Sequence, residues 1–139
     1  MEILVIDGQG GGLGRQLVAA VQQALPDARI TAVGTNSQAT AAMRKAGAHR
    51  TATGENAVVV ACRKADVIVG PIGMVIADAL LGEITPAMAL AVAQSPARRL
   101  LLPVSHCDNL VAGVEDSSVA RLVQCAADTL RQLAEENEK

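Results

Sequence analysis

The sequence contains no phenylalanine, tyrosine or tryptophan among its 139 residues. Proteins that hold single-stranded nucleic acid usually stack the bases on aromatic side chains, and nucleic-acid binding in general needs a basic surface. Here 12 Lys and Arg residues stand against 14 Asp and Glu residues, and the basic ones are scattered along the chain. We therefore expect no nucleic acid among the partners of this protein.

Long apolar runs are also missing from the sequence. The nearest candidate, residues 67–81, is interrupted by glycine, proline and aspartate, so it is unsuited to crossing a membrane. A signal peptide would need a basic residue near its start, where this chain has Glu2. These absences predict a cytoplasmic protein with no membrane partner.

Cysteine is scarce, whereas aliphatic side chains are abundant. The three cysteines, Cys62, Cys107 and Cys125, are widely spaced and odd in number, which favours reduced thiols. Cys62 and Cys125 occur in apolar helical contexts, where we expect packed thiols. Hydrophobic residues make up 50% of the chain, enough for the core of one domain spanning residues 1–139.

The most informative segment is a glycine loop between a short apolar run, residues 3–6, and an apolar-periodic stretch, residues 13–25. A strand, a glycine loop and a helix in this order form an anion site. The loop lets the backbone approach the ligand closely, and the helix start offers free N–H groups. Such a loop binds nucleotide phosphates in the first βα turn of a Rossmann-type domain.

The spacing Gly8-x-x-x-Gly12-x-Gly14 resembles the G-x-x-x-G-x-G loop of short-chain dehydrogenases and reductases, whereas the G-x-G-x-x-G fingerprint fails. Those enzymes use a tyrosine as the acid, so the absence of tyrosine excludes their mechanism. The alternative interpretation of the loop is a flexible strand-to-helix turn that binds no ligand.

Strands and helices alternate along the rest of the chain. The expected strands are residues 3–6, 29–33, 49–51, 66–69, 100–104 and 110–114. The expected helices are residues 13–25, 37–45, 56–63, 74–81 and 86–95, and a last one that opens at residues 116–117. This alternation predicts an α/β fold, a three-layer Rossmann-like domain with a mostly parallel sheet.

Ligands bind such folds at the sheet edge where the strands have their carboxyl ends. Polar or glycine-rich segments follow four predicted strands at residues 8–14, 34–37, 70–73 and 103–108. The sequence predicts a nucleotide ligand, with NAD and NADP as candidates. The residues expected to contact it are Asp7, Gly8, Gln9, Gly10, Gly11, Gly12, Leu13, Gly14, Gly34, Thr35, Asn36, Ser37, Thr53, Gly54, Gly70, Pro71, Ile72 and Gly73. The alternatives are helix capping for residues 35–37 and tight strand–helix packing for residues 70–73.

No acidic residue follows the second predicted strand. Rossmann domains that bind NAD carry there the Asp or Glu that contacts the ribose. This chain has Thr35, Asn36 and Ser37 instead. We therefore expect no strong preference for NAD over NADP.

His106-Cys107-Asp108 is the one cluster of three reactive side-chain types in the sequence. A histidine can act as a general base and a cysteine as a nucleophile. A polar turn between two strands is the simpler interpretation. A metal site would need further ligands such as His49 and Cys62, and because the spacing matches no metal motif we expect no metal.

Two apolar segments, residues 74–81 and 87–93, hold more apolar surface than one small sheet is expected to cover. A helix that is apolar around most of its circumference is buried on several sides. This predicts a homodimer, the commonest assembly, with Leu80 and Met88 at its interface. The alternative is that both segments pack on each other within one chain.

The chain as a whole resembles a family of short bacterial proteins, mainly from Firmicutes, known as a domain of unknown function. The resemblance rests on residues 5–12, 34–37, 52–56, 70–73 and 82–86 and extends over nearly all of the chain. It implies a Rossmann-like fold, and it implies no established activity, substrate or catalytic residue.

Three functional hypotheses follow. The first is a nucleotide-binding module that serves as a sensor or as a subunit of a larger complex. The second is a small enzyme that acts on a nucleotide or a phosphorylated metabolite, with His106, Cys107 or Asp7 as its chemical groups. The third is a structural subunit whose glycine loop is only a turn.

Overall fold

Five strands and five α-helices alternate in the computed structural model, which describes residues 1–104 and 108–138. The strands are β1 (Glu2–Asp7), β2 (Arg29–Gly34), β3 (Arg50–Thr53), β4 (Val67–Pro71) and β5 (Arg98–Leu102). The helices are α1 (Gly12–Ala24), α2 (Ser37–Lys45), α3 (Glu55–Ala61), α4 (Pro86–Gln94) and α5 (Val119–Asn137), with a short 3₁₀ helix at Ile72–Val75. Each of these strands and α-helices overlaps a predicted one.

The strands form one parallel sheet in the order β3-β2-β1-β4-β5. The central strand β1 pairs with β2 on one side, Ile3 beside Ile30, and with β4 on the other, Ile3 beside Val67. The direction of winding therefore reverses between β1 and β4, and open α/β sheets bind ligands at such a point. The predicted three-layer α/β fold is confirmed, and the strand order is that of a Rossmann-type sheet.

Helices cover both faces of the sheet because successive apolar side chains of a buried strand point to opposite faces. On one face, Ile3 and Val5 of β1 pack with residues of α1, α2 and α5. On the other face, Leu4 and Ile6 pack with α3, α4 and the segment 74–84. Since the chain has no aromatic residue, both cores consist of aliphatic and sulfur-containing side chains.

The segment after β4 is not the helix predicted for residues 74–81. After the short 3₁₀ helix the backbone turns repeatedly, with Asp78 (φ 68°), Leu80 (φ 57°), Leu81 (φ 57°) and Gly82 (φ 89°) in the left-handed region. A right-handed α-helix contains no such residues. The apolar composition reflects burial instead, because Leu80 packs in the core, although Leu81 is 98% exposed.

The predicted last strand, residues 110–114, is also wrong. These residues form turns and irregular backbone, and Leu110 is 94% exposed. β5 therefore ends the sheet on that side. The predicted turn at residues 70–73 begins later than expected, because Gly70 and Pro71 still belong to β4.

Two helix starts differ by one or two residues from the prediction. α2 is capped by Asn36, whose Oδ1 accepts from the N–H of Ala39, rather than by Ser37. α5 is capped by Ser118 rather than by residues 116–117. Serine, threonine, aspartate and asparagine can all cap a helix. Where several of them are adjacent, the sequence does not identify which one is the cap.

α5 is the longest helix, with 19 residues. Its apolar face, with Val123, Ala126 and Leu130, packs in the core beside α1. Cys125 lies outside that face and is exposed, contrary to the prediction of a packed thiol. Among the described residues, no helix has both the length and the apolar character needed to cross a membrane.

Candidate functional site

Three segments meet where β1 and β2 end. They are the glycine loop (residues 8–14), residues 35 and 36 after β2, and Glu83 from the segment that precedes α4. The N–H of Thr35 donates to the carbonyl oxygen of Asp7 over 3.0 Å, which ties the two strand ends together. We call this group of residues the edge site.

The glycine loop turns sharply before α1. The N–H of Gly11 donates to the carbonyl oxygen of Gly8 over 2.9 Å. A Cβ on Gly11 would lie 2.8 Å from the Cα of Ala39 in α2, and its φ of 74° also favours glycine. A Cβ on Gly10 or Gly12, in contrast, would meet no heavy atom within 4 Å. The outer side of the loop is therefore open.

Asp7 lies beneath this loop and is only 7% exposed. Its Oδ2 accepts a hydrogen bond from the N–H of Gly14 over 2.6 Å. Burial raises the pKa of Asp7 above its ordinary value of 3.8, and the nearby carboxylate of Glu83 adds to the rise. Backbone hydrogen bonds from Gly14, Gly8 and Leu13 oppose it. Asp7 thus engages the first turn of α1 from its inner side.

Replacing Asp7 with asparagine is expected to change how stability depends on pH. Because the folded pKa of Asp7 is raised, the folded protein binds this proton more tightly than the unfolded chain. Its contribution to the free energy of unfolding is therefore complete below the ordinary value of 3.8 and is lost as pH rises through the folded pKa. The parent should lose this stability with rising pH, and the D7N variant should not.

Urea unfolding at a series of pH values checks this expectation. The exposed Asp27, changed to asparagine, is the matched control for the loss of one carboxylate from the surface. Parallel profiles for the parent and the D7N variant would contradict it.

Glu83 is held by three donors that come from both sides of the edge site. Its Oε1 accepts from the Oγ1 of Thr35 over 2.7 Å, from the Nδ2 of Asn36 over 2.6 Å and from the N–H of Gln9 over 3.0 Å. Burial alone would raise the pKa of Glu83, but these three hydrogen bonds outweigh it and hold the pKa below its ordinary value of 4.5. The carboxylate is therefore ionised at neutral pH.

Gly8 makes this arrangement possible. A Cβ there would lie 2.6 Å from the Oγ1 of Thr35, 2.9 Å from Leu80 and 3.3 Å from the Oε1 of Glu83. The first glycine of the loop thus serves contacts within the protein, whereas Gly10 and Gly12 face open space.

Glu83 is a site residue that was not predicted from the sequence. A usable signal was present, because residues between a parallel strand and its following helix lie at the carboxyl edge of the sheet. Glu83 lies between β4 and α4. The predicted helix over residues 74–81 hid this, since a helix would carry the segment away from the edge.

The other predicted site residues divide into two groups. Thr53 and Gly54 lie at the end of β3, where the Oγ1 of Thr53 is 2.7 Å from the Oγ1 of Thr40, and Ser37 is exposed in the first turn of α2. The second group lies inside the fold: Gly34, Gly70, Pro71 and Gly73 are buried, and Ile72 is half-buried. His106 and Cys107 lie outside the described residues.

The residues weighed as metal ligands lie in different surroundings. The Nδ1 of His49 accepts from the N–H of Ile30 over 3.0 Å. Cys62 is buried in the core of α3 and α4, and burial raises the pKa of its thiol to about 11. Within residues 1–104 and 108–138, no three His, Cys, Asp or Glu side chains lie close enough together to hold a metal ion.

Comparison with known proteins identifies a family and a likeness to solved structures. A family model described as "Domain of unknown function (DUF3842)" matches residues 2–135. No curated protein matches the sequence. The chain is similar to the crystal structure of a dodecameric FMN-dependent Ubix-like decarboxylase from Escherichia coli O157:H7, with 17% sequence identity over 95% of this chain and 76% of that chain and a TM-score of 0.47.

Proposed function

We propose that the edge site of this chain, which belongs to the DUF3842 family, binds a nucleotide or dinucleotide by its phosphate. The description of that family gives no activity. The phosphate would lie against the glycine loop at the N-terminus of α1. The observation that carries this proposal is the open outer side of the loop at Gly10 and Gly12.

Backbone donors support phosphate binding at this position. Among the described residues, none accepts a hydrogen bond from the N–H of Gly10 or Gly12. α1 begins at Gly12 and runs for 13 residues, so its positive dipole end points toward the open side of the loop. Helix N-termini of this kind bind phosphate and carboxylate groups.

The carboxylates of Asp7 and Glu83 moderate the electrostatic attraction. Asp7 accepts from the N–H of Gly14 on the inner side of the loop, and its charge, when present, offsets part of the helix dipole. Glu83 accepts from the N–H of Gln9, so its negative charge also lies beside the loop. A phosphate here is held mainly by directed N–H groups of the backbone. This favours ligands that make further contacts along the edge site, as a nucleoside does.

A thermal-shift screen of nucleotides tests the proposal. We expect AMP, ADP or NAD to raise the melting temperature, because a ligand that binds only the folded state stabilises it. Inorganic phosphate serves as the control for the anion alone and should give a smaller shift. If no nucleotide shifts the transition at millimolar concentration, the proposal fails and the structural-subunit hypothesis gains support.

We also propose that the chain forms a homodimer through apolar side chains near α4. The residues expected at the interface from the sequence, Leu80 and Met88, are buried within the protomer. Leu81 is 98% exposed and Leu90 on α4 is 54% exposed. Covering an exposed leucine with a partner removes apolar surface from water, which stabilises the dimer.

Changing Leu81 and Leu90 together to glutamate is expected to shift the mass from dimer to monomer while the protomer stays folded, because both side chains are exposed. Light scattering across a dilution series measures the mass. The control is Leu80→Glu, which should unfold the protein because Leu80 lies in the core. A monomeric parent at micromolar concentration would rule the dimer out.

A further inference from the structure

The two carboxylate oxygens of Glu83 have different surroundings. All three donors, from Thr35, Asn36 and Gln9, reach Oε1. No described residue donates to Oε2. Glu83 therefore offers one oxygen as an anchor and presents a second, ionised oxygen with unused acceptor capacity at the edge site.

The carboxylate of Glu83 lies at a position for which the sequence supplies no acidic residue nearby. No acidic residue follows β2, yet Glu83 is bonded to Thr35 and Asn36, the residues that do follow it. The carboxylate arrives there from the segment between β4 and α4, across the end of β1. A carboxylate beside the end of β2 lies where a nucleotide held at the glycine loop would present its ribose.

We propose that Glu83 accepts the ribose hydroxyls of the bound nucleotide, so that the site takes nucleotides with a free 2′-hydroxyl and rejects those with a 2′-phosphate. This inference rests on the proposed binding of a nucleotide phosphate at the glycine loop. It replaces the expectation, drawn from the sequence, of no strong preference for NAD over NADP.

Rejection follows from charge and from rigidity. A 2′-phosphate beside Glu83 would bring two like charges together, which is unfavourable unless one of them can move away. Glu83 is tied by its three donors, and its own backbone N–H donates to the carbonyl oxygen of Leu80 over 3.2 Å. Neither the side chain nor its backbone is positioned to retreat from a second anion.

Calorimetric titration of the full chain with NAD and with NADP tests this inference. We expect the parent to bind NAD about tenfold to a hundredfold more tightly than NADP, the size of effect that one hydrogen bond to a charged group provides. In the E83Q variant the ratio should fall toward one. Glutamine keeps an Oε1 for Thr35, Asn36 and Gln9 and replaces only the acceptor Oε2, so the edge site retains its anchor.

The matched control is the E55Q variant. Glu55 is a second carboxylate at the same sheet edge, bonded to the Oγ1 of Thr85 over 2.6 Å and outside the edge site. The E55Q substitution removes the same charge as E83Q, and the ratio of NAD to NADP affinity should stay at the parent value. Thermal unfolding of both variants confirms that they are folded.

The outcomes separate this inference from the proposed function. Equal affinities for NAD and NADP in the parent, or a ratio that E83Q leaves unchanged, would overturn the role of Glu83 and leave phosphate binding standing. An equal change of the ratio in E55Q would also overturn it, because the effect would then be general charge. Absence of binding by both dinucleotides and by AMP would overturn the phosphate proposal and this inference together.

Discussion

Replacing Gly70 with alanine is expected to destabilise the fold by about 3 kcal/mol, the upper end of what overpacking usually costs. Gly70 lies in β4, directly beside β1 in the centre of the sheet. A Cβ there would lie 2.5 Å from the carbonyl oxygen of Ile6 and 2.9 Å from the sulfur of Met74. Met74 can rotate away, but the backbone of Ile6 is held by its pairing with Val33 of β2.

Urea unfolding followed by circular dichroism measures this loss as a shift of the midpoint at unchanged slope. The matched control is Gly12→Ala, where the added Cβ meets no heavy atom within 4 Å. Alanine in the first turn of α1 should be neutral or stabilise by up to about 1 kcal/mol, because it restricts the unfolded chain. A midpoint for G70A equal to that of the parent would contradict this prediction. It would show that the backbone of β1 shifts to accommodate the added Cβ.

Replacing Gly12 with valine is expected to weaken the binding of NAD at least tenfold, or by about 1.4 kcal/mol, without unfolding the protein. The isopropyl group would point into the open space beside the loop, where the proposed phosphate approaches. Apart from its chain neighbours and the backbone of α1 itself, no heavy atom lies within 4 Å of that Cβ, so we expect the fold to be retained. Calorimetry measures the affinity, and thermal unfolding without ligand verifies the fold.

Ala19→Val is the control for this variant. Ala19 is exposed on the same helix, a distance of about two turns from its start, so the added methyl groups test the general effect of a β-branched residue in α1. Affinity should be unaffected there. A folded G12V variant that binds NAD as tightly as the parent would exclude the loop as the phosphate site.

Local signals were sufficient to predict most of the architecture. The strand, glycine loop and helix at the start of the chain follow from apolar periodicity and glycine content, and α4 begins at Thr85-Pro86 as its cap chemistry indicates. The segment 74–84 could not be predicted in the same way. Its apolar residues are needed by the core, while its left-handed turns at Leu80 and Leu81 run against the backbone preference of leucine.

The edge site was predicted only in part for a related reason. The glycine loop and residues 35 and 36 are close to strands in sequence, so their position follows from the strand pattern. Glu83 is 48 residues from Thr35 in sequence, and their contact depends on the strand order and on the turns before α4. Sequence spacing also could not separate Gly8, which serves internal contacts, from Gly12, which faces open space.

The aliphatic cores on both faces of the sheet have an optical consequence. Without an indole, phenol or phenyl ring, the folded chain is nearly transparent in the near ultraviolet. An adenine or nicotinamide ring carried through purification would therefore supply almost the whole absorption band there. Comparing that band with the peptide absorbance at shorter wavelength would give the fraction of chains that carry a ligand, and the shape of the band would indicate its chromophore before any nucleotide is added.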